Sequence, residues 1–114
     1  MPDIIVNGMA IAPNVIDTIV TLALKEVPGV DSEAINATGI KALFSPASAS
    51  QKVNVTVEDD ESLAIEVTIR VLDGYPINEL VQSIRSSIVD AVVLQTGINV
   101  SRVDINIDGI RFLD

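Results

Sequence analysis

The sequence predicts an α+β fold, a two-layer sandwich with two amphipathic helices packed on one face of a small mixed β-sheet. Three observations predict it. Apolar residues alternate with polar ones around 53–57, 65–71 and 103–107, the period of strands with one buried and one solvated face. Two other segments, 13–26 and the stretch from Ile77 to Gly97, repeat apolar residues at three and four, the period of helices with one buried stripe. Stacking helices on one side of the sheet covers both kinds of apolar surface at once.

Each element has its own signal. Ile4 to Ile11 is apolar but broken by Asn7-Gly8, so it reads as one short strand or two. Pro13 suits a first helical position, where a missing N–H costs nothing, and Ala12 before it is a poor N-cap. Val15, Ile16, Ile19, Val20, Leu22 and Ala23 then form the apolar stripe of the first helix. Lys25 complements the dipole at its end, and Pro28-Gly29 stops it. Gly39 to Phe44 is a further possible strand, and Ser45 to Ser50 is small and polar, a loop by composition. Val53, Val55 and Val57 lead through Glu58–Ser62 into Ile65, Val67, Ile69 and Val71, a hairpin. Asp73-Gly74-Tyr75-Pro76 is a turn. Ile77, Leu80, Val81, Ile84, Ile88, Ala91 and Val92 form the stripe of the second helix, which Gly97 ends. Val103, Ile105 and Ile107 make the last strand, expected to close at Gly109. If the strand at 63–71 and this one are parallel neighbours, the connection between them is a right-handed crossover.

With 114 residues the chain makes one domain, spanning 1–114, of a size that buries roughly two thirds of its unfolded surface. Hydrophobic residues are 48% of it and aromatics only 3%, so Ile, Val, Leu and Ala must fill the core. Cysteine and histidine are absent, which removes disulfides, Cys/His zinc sites, cysteine nucleophiles, histidine bases and Ser-His-Asp triads. Seven Lys+Arg against sixteen Asp+Glu give a formal charge of -9. Such a chain is repelled by phosphate backbones and anionic lipid, so no nucleic-acid partner is expected. The longest apolar runs, such as Ala91–Leu94, fall far short of the ~20 residues of a membrane span, and Met1-Pro2-Asp3 is no signal-peptide start. The expected location is cytoplasmic.

No pattern of catalysis emerges. The acidic run Glu58–Glu61 lacks the spacing of a calcium loop and reads as a solvated hairpin tip. The glycines form no phosphate loop, and Ser83, Ser86 and Ser87 have no base beside them. No cofactor, metal or catalytic residue is expected, and the protein is expected not to be an enzyme. What remains is a surface. The polar sheet face carries Lys52, Glu66, Arg70, Arg102 and Asp104, with Asn54, Thr56, Thr68, Asn106 and Asp108 around them, and is the candidate protein-contact face. Val89 and Val93 widen the apolar side of the second helix, as needed if more than one side is covered, so a homo-oligomer is a further expectation.

Three stretches resemble the alkaline-shock-protein family, envelope stress response proteins of Gram-positive bacteria. Ile11-Ala12-Pro13-Asn14-Val15-Ile16 is similar to the family's I-A-P-x-V-I start, and Glu26-Val27-Pro28-Gly29-Val30 to its E-V-x-G-V. Thr96-Gly97-Ile98-Asn99-Val100 and Val103 to Phe112 resemble its C-terminal T-G-x-x-V and V-x-V-x-V-x-G-x-x-F. The Ser/Ala-rich 45–51 stretch stands where the family has glycines. The resemblance implies a non-catalytic role in cell-envelope homeostasis, exerted through protein contacts. It also implies a protein partner, such as a small integral membrane anchor protein that would hold the chain at the membrane. The alternative is a soluble adaptor or regulator of a lipid-metabolism enzyme. A third reading is a binder of small molecules between helices and sheet.

Overall fold

The computed structural model describes residues 4–6, 8–31 and 52–112. The possible strand at Gly39–Phe44 and the loop at 45–50 lie outside them. In order come β1 (Ile4–Val6), β2 (Met9–Ile11), α1 (Pro13–Lys25), β3 (Lys52–Val57), β4 (Leu63–Leu72), α2 (Ile77–Thr96) and β5 (Val100–Arg111). This is the expected α+β architecture, with the five described strands in two sheets.

The opening apolar stretch is two strands. β1 and β2 pair antiparallel, Ile4 with Ile11 and Val6 with Met9, around a turn where Gly8 takes φ +77°. That positive φ is what a two-residue hairpin loop asks of its glycine. The main sheet has the order β3-β4-β5, with β4 antiparallel to β3 and parallel to β5. A parallel neighbour needs a crossover, and α2 provides it. The sheet is thus mixed, with the longest apolar alternation, that of β4, at its centre.

Period-two facing holds along β4 from Ile65 on: Ile65, Val67, Ile69 and Val71 are buried, while Glu66 and Arg70 are exposed; at its start Leu63 and Ala64 are both buried. The buried side joins Ile16, Val20 and Leu24 of α1 and Leu80, Ile84, Ile88 and Val92 of α2 in one aliphatic core. Both helices differ in detail from the expected stripes. Leu24 is fully buried, whereas Val15 and Leu22 of α1 and Ile77 of α2 are exposed.

α1 starts as expected, with Pro13 in its first turn and Ala12 making no side-chain cap. It stops at Lys25, with Glu26 as its cap, so Gly29 is not the helix terminator. Gly29 instead occupies a turn closed by Val30 N–H donating to the Val27 carbonyl at 3.3 Å. Pro28 followed by a glycine at φ +100° is the sequence and geometry of a type II turn. Gly97 does end α2, with φ +74° and its N–H donating to the Val93 carbonyl at 2.8 Å.

β5 runs past Gly109 to Arg111. A register shift opposite Ile69/Arg70 leaves Asp108 as an extra residue, sets Gly109 against Arg70 and lets pairing continue to Leu72↔Arg111. On the opposite edge of β4, Val30 bridges Val71 beyond the end of β3. This places Asp31, whose N–H donates to the Arg70 carbonyl at 3.0 Å, almost in line with Lys52, which pairs with Thr68.

Asp31 is buried, its side chain 4% exposed, and the Arg111 guanidinium meets its carboxylate at 3.3 Å. One ion pair thereby ties the end of β5 to the segment after α1. Removing one member of a buried pair leaves the other charge in a poor solvent. Arg111→Ala should cost about 2 kcal/mol, a value below the usual range for buried pairs because Arg111 is itself partly exposed. Urea unfolding of Arg111→Ala, Asp31→Asn and the double variant checks this, and additive losses would contradict the coupling.

Candidate functional site

The structure brings the five sequence-predicted residues into one sheet, on β3, β4 and β5. Lys52 opens β3 in register with Thr68. Glu66 sits mid-sheet, level with Asn54 on one side and Asp104 on the other. Its carboxylate accepts from Asn54 Nδ2 at 3.2 Å and from Asn106 Nδ2 at 3.3 Å, linking all three strands. Arg102 and Asp104 form an exposed ion pair at 3.0 Å. Arg70 lies along Gly109, where an added Cβ would meet Arg70 Nε at 3.4 Å. Much of this face is satisfied by its own neighbours, and exposed pairs of this kind stabilise little.

The acidic hairpin tip is built by its backbone. Glu61 N–H donates to the Glu58 carbonyl at 3.0 Å, and Glu61 takes φ +66°. The Ser62 hydroxyl and N–H both donate to Asp60, and these bonds hold its carboxyl below the usual carboxylate range. Among the described residues there is no group of three or more acids placed to hold a metal ion.

A second surface was not legible as a site. α1 and α2 flank a groove of about 890 Å³. Its apolar lining includes Ile19, Ala23 and Ala91, which are buried or half-buried, and Val15, Leu22 and Leu94. The last three are open to solvent: Leu94 is 82% exposed, Leu22 56% and Val15 44%. The signal was the run Ala91-Val92-Val93-Leu94. Four consecutive residues sweep most of a helical turn, so no single core can bury them all. Val92 takes the core, Val89 packs against it, and Leu94 faces out.

Asp17 lies on the exposed side of α1, yet partial burial pushes its carboxyl pKa up from 3.8. A raised acid means that the folded state holds its proton more tightly than the unfolded one. Its ionisation therefore removes stability as pH rises from about 4 through the folded pKa. Asp17→Asn should melt higher than the parent at pH 7 and level with it near pH 3. Calorimetry across that range checks the sign, and a lower melting temperature at pH 7 would contradict it.

No helix among the described residues is long and apolar enough to cross a membrane. A multidomain structure of adenylation, ketoreductase and pseudo-Asub domains from a keto acid-selecting NRPS module is similar over 94% of this chain and 7% of that one. The TM-score is 0.50 at 15% identity, a likeness of fold alone. An uncharacterized protein of Bacillus subtilis (strain 168), YqhY, is 32% identical over 103 residues, which are 90% of this chain and 76% of that protein. Residues 4–112 match the alkaline shock protein family, described by its cell envelope-related function. The match takes in the motifs at Ile11–Ile16, Glu26–Val30 and Thr96–Phe112, and the chain belongs to that family.

Proposed function

We propose that the protein serves the cell envelope without catalysing a reaction, by binding another protein through the outer face of its helix pair. The observation that carries this is Leu94. An isolated exposed leucine needs no explanation, but Leu94 shares a formed groove with Val15 and Leu22. The sheet face is the weaker contact surface, because Glu66, Asn54, Asn106, Arg102 and Asp104 already bond one another. The family's envelope-related function supports the setting, and a partner that spans the membrane would place a chain with no spanning helix of its own among the described residues.

The experiment is affinity capture of the tagged full chain from mildly cross-linked cells, with membrane and soluble fractions read separately. An integral membrane protein captured in amounts comparable to the bait is the expected result. A soluble biosynthetic enzyme captured instead would move the protein to the adaptor role. A chain that captures neither would overturn the reading.

A further inference from the structure

The groove also limits what can occupy it. It follows α1 from Asn14 to Glu26, about 18 Å at ~1.5 Å per residue, the length of roughly three helical turns. The small Ala23 and Ala91 in its lining let a partner come close, and Leu22 and Leu94 offer side chains to interdigitate with. Its only charged lining residues among those described are Glu26 and Asp90, both acidic. The formal charge of the whole chain is -9.

We propose that the groove seats one amphipathic α-helix of a protein partner, with an apolar ridge between Leu22 and Leu94 and Lys or Arg residues against Asp90 and Glu26. This rests on the reading of the helix pair as the contact surface and names the chemistry of what binds there. A second copy placed groove to groove would set these acids against themselves and is disfavoured by like charge. An anionic lipid surface is disfavoured on the same ground.

The test places the photo-crosslinker p-benzoylphenylalanine at Leu94 in the full chain, in living cells, with a second chain labelled at Arg70 on the sheet face. The expected result is an adduct from position 94 whose cross-linked peptide is a Lys/Arg-bearing amphipathic helix of another protein. Asp90→Lys should reduce that adduct on the order of tenfold, the size of one lost charge contact at an interface, with melting unchanged. Adducts from position 94 with a second copy, with lipid or with an acidic segment would overturn the inference. So would an adduct that Asp90→Lys leaves intact. A protein adduct from position 70 alone would overturn the inference and the choice of surface while sparing the non-catalytic, contact-based role. No protein adduct from either position would overturn that role as well.

Discussion

Val67→Asp should destabilise the protein by about 4 kcal/mol or more, most of the stability of a domain at the low end of the ordinary range. Val67 lies on the central strand, is 0% exposed, and belongs to a cluster of buried aliphatic side chains. A carboxylate there would be desolvated among aliphatic side chains. The neighbouring Thr68→Asp reverses the geometry. Thr68 is half-buried on the opposite face, in register with Lys52 and Asn106, and the change should cost about 1 kcal/mol or less. Urea unfolding of the two variants side by side checks this. Equal losses would mean that β4 does not present these faces.

Gly29→Ala should cost about 3 kcal/mol from two separate causes. The residue holds φ +100°, where an L side chain loses roughly 1–2 kcal/mol. A Cβ would also stand 2.9 Å from Tyr75 Cγ and 3.0 Å from Leu80 Cδ1, so the ring or the leucine would have to move, at roughly 1–3 kcal/mol. Gly74→Ala separates the two causes. Gly74 holds φ +98° with nothing within 4 Å of its missing Cβ, so only the backbone cost of roughly 1–2 kcal/mol applies. Thermal unfolding of both variants gives the comparison. If Gly29→Ala is no worse than Gly74→Ala, the Tyr75 contact does not hold the turn. Gly29 stands in the segment Glu26–Val30, so a reason for one residue of that motif is visible here: the chain must turn beneath the Tyr75 ring before it reaches β4.

The elements could be read from the sequence because their signals are local. Alternation in 65–71 assigned every buried residue of that stretch to the correct face. Pro13 and Gly97 marked helix ends through their own backbone constraints. What escaped depends on neighbours distant in sequence. The role of Gly29 requires Tyr75, the burial of Asp31 goes with Arg111, and the extension of β5 beyond Gly109 follows from a bulge that only pairing with β4 reveals. Lys52, Glu66, Arg70, Arg102 and Asp104 stand on the strands of one sheet, but sequence alone does not show that Glu66 is held between two asparagines. The helix groove is hidden in the sequence because Leu22 falls in the same apolar stripe as the core residues of α1. Two apolar faces on one helix give overlapping periodicities, and only packing shows which of them the fold uses.

The most direct measurement repeats the affinity capture with the double variant Leu22→Asp/Leu94→Asp beside the parent chain. Both side chains are largely exposed, so melting should move little. The expected result is a folded double variant that no longer captures the envelope partner, because two carboxylates stand where apolar contacts and cations belong. A folded double variant that captures the same partner in the same amount would contradict the assignment of the helix groove as the working surface.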